Sequence, residues 1–368
     1  MLVMNRNSAI DILKGIGIIL VVIGHSGCPE IIHDYIYSIH MPLFFIASGF
    51  FFSETCIDNK KKYINRKING IYIPYLKWSI IFLLLHNVFF YCGIINSYYG
   101  NLEGYCSNIY SHKEILYRLL NITIRMTDYE VFILGAYWFM RSLFVGCLLL
   151  CICTWLTNII VKSRRGSIAF VSFLFCLIGG IMTYNNIHIP YFPQGGYREV
   201  MAVFFIGCGF FLAQAKDYIG RGAIALASLS ILIVFVSYHP TSMSFKACFD
   251  DWIIIPFTGV SGFVVVYYIS SKLSNKNDFI SNSLKHIGTK TFYVLTFHFL
   301  MFKPASLLNA YVYNLDWRVI GCHPVVFPIR DNWFWIIYTV TSICLSLFVV
   351  WGLETIENGK WRKLLKLE

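Results

Sequence analysis

Ten apolar runs of about 17 to 25 residues divide the chain, beginning near Ile10, Tyr35, Ile71, Val131, Ser167, Arg198, Ala223, Asp251, Thr291 and Trp333. Each is long enough to cross ~30 Å of hydrocarbon as a helix. The expected architecture is therefore an all-α integral membrane protein with about ten transmembrane helices. Composition supports it: 13% of residues are charged and 57% hydrophobic, whereas about a quarter of a soluble domain is charged.

The connections between runs fall into two sets. One set holds about 19 basic residues, at Arg6, Lys60–Lys67, Lys162–Arg165, Lys216, Arg221, Lys272–Lys290 and Lys360–Lys366. The other holds about seven: Lys113, Arg118, Arg125, Arg198, Lys246, Arg318 and Arg330. Positive-inside bias then places both termini in the cytoplasm, in agreement with an even number of spans. The net charge of +11 is read as a topology signal that anionic lipid headgroups can satisfy, and no nucleic-acid partner is expected.

No small-residue cleavage site follows the first run, so it is expected to be retained as an anchor. A single membrane domain over residues 1–368 is the economical reading, with no appended soluble domain. The longest outer segment, about residues 93 to 130, is expected to contain an interfacial helix near His112–Ile124 and to be able to cover an extracytoplasmic site. The 12 cysteines lie mostly in apolar runs without paired CxxC spacing, so they read as small buried hydrophobes.

Polar residues inside the runs carry the functional information. In DILKGIGIILVVIGH, Lys14 and His25 are eleven residues apart, about 16 Å of helix rise, and share a face with Ile18 and Val21. A charge at mid-helix costs ~2.5–3.5 kcal/mol on insertion scales, so such residues normally face a polar cavity or a partner. Taken singly, Lys14 could snorkel and pair with Asp11, and His25 could sit in the outer interface. Taken together, a cation at the inner end and an imidazole at the outer end suit a tunnel, the one holding an anionic cofactor and the other handling a proton. Arg141 lies near the middle of the fourth run, where it is expected to line a polar cavity, with a buried ion pair as the alternative.

The stretch RNSAIDILKGIGIILVVIGHS resembles the opening of the membrane acyltransferase 3 family, whose signature is a basic residue, ten residues, then histidine. Lys14 and His25 match it, with Lys in place of the commoner Arg, which keeps the charge and loses the bidentate fork. HMPLFFIASGFFF (40–52), KKKYINRKINGIYIPYLKW (60–78), YWFMRSLF and GTKTFYVLTFHFLMFK are similar to further family segments, with Asn69 where a second arginine is frequent. The resemblance covers about the whole chain and is strongest over residues 6 to 80.

The resemblance implies transfer of an acetyl or other short acyl group from cytoplasmic acyl-CoA to a hydroxyl of an extracytoplasmic or membrane-linked glycan, in a bacterial inner or plasma membrane. It implies catalytic roles for His25 and Lys14, and donor binding by Lys14, Arg66, Lys67 and Arg141. His40, Ser48, Trp138 and His298 become candidates for acceptor binding, with Ser48 weighed against simple close packing of Ala47, Ser48 and Gly49. The expected donor is acetyl-CoA and the expected partners are the acyl-CoA, the glycan and the bilayer. No metal is expected, because thioester transfer needs only a base and an oxyanion donor, and neither GxSxG nor HExxH occurs. The alternatives are a multi-span transporter or flippase of a glycan or small metabolite, and a non-catalytic sensor.

Overall fold

A computed structural model describes residues 7–127, 130–243, 248–327 and 333–357. Of the basic residues in the charge comparison, Arg6, Lys246, Arg330, Lys360, Arg362, Lys363 and Lys366 lie outside the described residues.

All ten apolar runs are helical. Helix α1 (Ser8–His25) starts beneath Asn7, whose side-chain oxygen accepts from the Ala9 and Ile10 N–H groups and so satisfies donors that the helix itself leaves open. It is followed by α2 (Glu30–Gly49), short α3 (Thr55–Asp58) and α4 (Lys60–Lys67), then a π-helical turn and α5 (Ile73–Tyr91). Pro74 sits in the first turn of α5, where its missing N–H costs no hydrogen bond. Next come α6 (His112–Arg125), a 3-10 segment at Phe132–Tyr137, α7 (Trp138–Val161), α8 (Arg164–Tyr184), α9 (Tyr197–Gln214), short α10 (Lys216–Ile219) and α11 (Gly222–Tyr238). The chain closes with α12 (Phe249–Ser274), α13 (Phe279–Thr289), α14 (Thr291–Met301), α15 (Lys303–Val312) and α16 (Phe334–Glu357).

Eight helical stretches among the described residues are long and apolar enough to cross a membrane. Of the other two expected spans, α11 is shorter and α2 carries His33, Asp34, Tyr37 and His40 among its apolar residues. No sheet forms among the described residues; one isolated bridge pairs Gly100 with Cys106. The protein is an all-α integral membrane protein.

Glycines allow the helices to cross at backbone distance, the usual route to helix association where apolar burial gives no driving force. A Cβ on Gly15 of α1 would fall 2.1 Å from the Leu284 carbonyl oxygen of α13, and one on Gly288 would fall 1.7 Å from the Asp11 carbonyl oxygen. The crossing of α2 and α9 is equally close: a Cβ on Gly49 would lie 2.0 Å from the Ile206 oxygen. Gly49→Val should therefore force the two helices apart, costing at least the ~1–3 kcal/mol typical of overpacking. Its thermal midpoint in detergent should fall, while Gly70→Ala, where nothing lies within 4 Å, should keep the wild-type midpoint.

The expected interfacial helix is α6. Ser111 and Glu114 form a reciprocal cap at its start, and these hydrogen bonds hold the Glu114 carboxyl below its ordinary pKa. Leu116, Tyr117, Leu120 and Ile124 are exposed along it. His86 of α5 ties the segment down by donating from Nε2 to the Asn108 carbonyl at 2.9 Å and stacking on Tyr110 at 3.5 Å. The cysteines only partly follow expectation. All twelve are free thiols, but four are buried, while Cys92, Cys106, Cys248 and Cys344 are exposed, in connecting segments or on an outward helix face.

Candidate active site

His25 ends α1, and the residue before it is glycine, which lets α2 approach closely. A Cβ on Gly24 would lie 3.0 Å from the ring of Tyr37. The Tyr37 hydroxyl is 3.2 Å from His25 Nδ1. On α2, His33, Tyr37, His40 and Met41 follow one another at spacings of three or four residues or less and so share a face. His33 stacks on Tyr37 at 3.9 Å, and His40 meets the same ring edge-on at 4.9 Å.

Two further imidazoles have their protons placed by the backbone. His40 donates from Nδ1 to the Ile36 carbonyl at 2.7 Å, and His298 of α14 donates from Nδ1 to the Leu295 carbonyl at 2.8 Å. Each neutral ring therefore keeps a lone pair on Nε2. His298 is fully buried, and its Nε2 has no hydrogen-bond partner among the described residues. Its ring centroid is 5.6 Å from that of His25. Phe299 lies among three imidazoles, 5.0 Å from His25, 4.0 Å from His298 and 4.6 Å from His323. Burial above all, then the Lys303 charge and His298, lowers the His323 pKa to about 3, so that ring is neutral near pH 7.

His25, His33, Tyr37 and His40 border a cavity of about 450 Å³ at the end of the bundle opposite the basic clusters. Its lining includes His25, Val21, Tyr37, His40, Trp138 and Arg198, with the carboxylates of Asp34 and Asp251. The Arg198 guanidinium lies 3.8 Å over the Trp138 ring, and its Nε donates to the Met243 carbonyl at 2.8 Å. The chamber thus joins an aromatic wall, a cation and imidazoles able to exchange protons.

A family model described as an acyltransferase domain, Acyl_transf_3, matches residues 7–352. The chain belongs to the acyltransferase 3 family. It is thus a membrane acyltransferase. Neither the curated proteins nor the solved structures compared with it gave a match.

Among the candidate residues of this acyltransferase, His25, His40 and Trp138 line the cavity and His298 adjoins it through His25. The others lie elsewhere. Lys67 donates from Nζ to Ser48 Oγ at 3.2 Å, and Ser48 is 3.5 Å from Cys147 Sγ, which joins two candidates from separate segments near the basic end. Arg66 is exposed, 5.5 Å from the Tyr63 ring. Asp58, Asn59, Asn65 and Lys60–Lys62 beside it line a second, more open hollow of about 530 Å³.

Lys14 is 29% exposed and pairs with Asp11 at 2.9 Å. The expectation of one continuous passage along α1 is corrected here. Val21 and His25 reach the cavity, but Ile18 between them and Lys14 is 1% exposed within the core. Gly17 explains the closure, because a Cβ there would fall 2.8 Å from Leu43 of α2. The two ends of the stripe therefore meet different surroundings.

Arg141 also departs from expectation, since it is 1% exposed and is not in the lining of this cavity among the described residues. Its Nε donates to Glu199 Oε1 at 2.8 Å, and the Ser142 hydroxyl donates to the same oxygen at 2.7 Å. The ion-pair alternative holds, because at this depth a carboxylate is a better partner for the guanidinium than a distant interface.

Among the described residues, 93–127 and 130 do not contribute to the cavity lining; the connection 240–243 does. Lys303, at the start of α15, donates to the Ile320 and Cys322 carbonyls at 2.7 and 2.8 Å. Among the described residues, His239, Cys248 and Asp251 form the one group with metal-ligand atoms within 4.8 Å of one another. Asp251 accounts for that grouping by accepting from the Cys248 N–H at 2.9 Å and standing 3.3 Å from His239 Nε2.

Tyr37 and Arg198 were not among the sequence candidates. Tyr37 is three residues before His40 on one helical face, a usable local signal. Arg198 becomes relevant only because α9 packs against α7, and no sequence spacing encodes that.

Proposed function

We propose that the protein transfers an acetyl or other short acyl group from cytoplasmic acyl-CoA to a hydroxyl of an extracytoplasmic or membrane-linked glycan, in a bacterial inner or plasma membrane. The observation that supports this reading most is the cavity in which His25 and His40 meet the Trp138–Arg198 wall, beside the unpartnered Nε2 of His298.

His25 acts as general base. As the acceptor oxygen bonds to the thioester carbon, His25 takes the hydroxyl proton. The carbon–sulfur bond then breaks and the proton passes to the CoA thiolate, so alcohol and thioester become ester and thiol. A positioned base of this kind contributes ~10²–10⁴-fold. Trp138 offers a flat apolar face for a sugar ring, and His298 packs behind His25, 5.6 Å between ring centroids.

At the basic end, Lys14, Arg66 and Lys67 hold donor phosphates, with Lys67 oriented by Ser48. The donor must then carry its thioester some 16 Å along α1, past buried Ile18 and the close approach of Leu43 and Phe44 of α2 to Gly17. Binding therefore includes a displacement of those helices.

Lys67→Met should raise KM for acetyl-CoA about tenfold, the scale of a lost charge-assisted hydrogen bond, with kcat nearly unchanged. An unaltered KM would remove Lys67 from the donor site. The reaction itself is tested by mass spectrometry of surface glycans from cells with and without the gene. An acetyl increment that depends on the gene is expected; glycan export without donor consumption would point to transport.

A further inference from the structure

We propose that Tyr37 is a positioning residue for His25, its hydroxyl fixing the imidazole so that Nε2 is the nitrogen presented for proton transfer. The proposal rests on the reading of His25 as the base. A neutral imidazole carries one proton, and the 3.2 Å contact engages Nδ1. With Nδ1–H donated to the Tyr37 oxygen, the lone pair is on Nε2. Once Nε2 has taken the acceptor's proton, the Nδ1–H···O bond becomes charge-assisted and strengthens.

The phenol is held where this role needs it. Its ring is fixed by the His33 stack and the His40 edge contact, both from its own helix. Gly24 removes the side chain that would push it away from α1, one residue before the imidazole it meets. No carboxylate oxygen among the described residues hydrogen-bonds His25. The nearby Asp34 carboxylate lies 3.5 Å from His33 Nδ1. The orienting group is thus a neutral hydroxyl, where bases of this type often use an acid.

Tyr37→Phe keeps the ring and removes only the hydroxyl. Membrane vesicles from the producing cells, carrying their own acceptor, are supplied with radiolabelled acetyl-CoA, and rates are normalised to folded protein by size-exclusion chromatography. The maximal rate should fall about tenfold, the scale of one net hydrogen bond, with KM for acetyl-CoA within about twofold of wild type, and added surface-glycan extract should not restore it. An unchanged rate, or full restoration by added glycan, would overturn the proposal, the latter because it would make Tyr37 an acceptor-binding group. His25→Ala runs in parallel. If it labels normally, the base itself is misassigned; if it is inactive while Tyr37→Phe works at full rate, only the positioning role fails.

Discussion

Glu199→Ala will destabilise the protein by about 3–5 kcal/mol, because it leaves the Arg141 guanidinium buried without its carboxylate. Both side chains are about 2% exposed and 2.8 Å apart, so neither can recover hydration without a local rearrangement. Arg141→Met should cost a similar amount through the abandoned carboxylate. The double variant Arg141→Met with Glu199→Met should regain most of the loss, since replacing a whole buried pair by apolar residues is often near neutral. Thermal unfolding in detergent measures all three. Equal midpoints for the single variants and wild type would show that the pair is not needed for folding. A double variant as unstable as either single would show that packing, not charge, sets the cost.

That pair also shows where sequence reading stops. The depth of Arg141 in its run implied a polar cavity, with a buried ion pair as the alternative, and the partner's identity was not legible: Glu199 is 58 residues away and arrives only through the packing of α7 on α9. The contact of Arg198 with Trp138 is hidden for the same reason. Local periodicity succeeded where one helix was enough. Lys14 and His25 both belong to α1 because a helical stripe is a local property, and the outer member reaches the cavity as expected. The continuous passage failed because Gly17, which reads as neutral in a hydropathy window, admits Leu43 and Phe44 against α1. Interruptions inside the apolar runs were equally silent. The fourth run begins as a 3-10 segment before α7, and the ninth divides into α14 and α15 at a Lys303–Pro304 step.

His25→Ala should lower acyl transfer by ~10²-fold or more, the contribution of a positioned general base. Its fold should survive, because the ring is only partly buried and borders a cavity, so truncation enlarges existing space and opens no new void in the close-packed core. His298 is not expected to replace it, since its ring is fully buried and does not line the cavity. The most direct measurement is the transfer of label from radiolabelled acetyl-CoA to envelope material in membranes holding equal amounts of folded wild-type and His25→Ala protein. Labelling by wild type and background counts from the variant are the predicted result. Equal labelling by the two would contradict the assignment of this cavity and its imidazole to the chemistry.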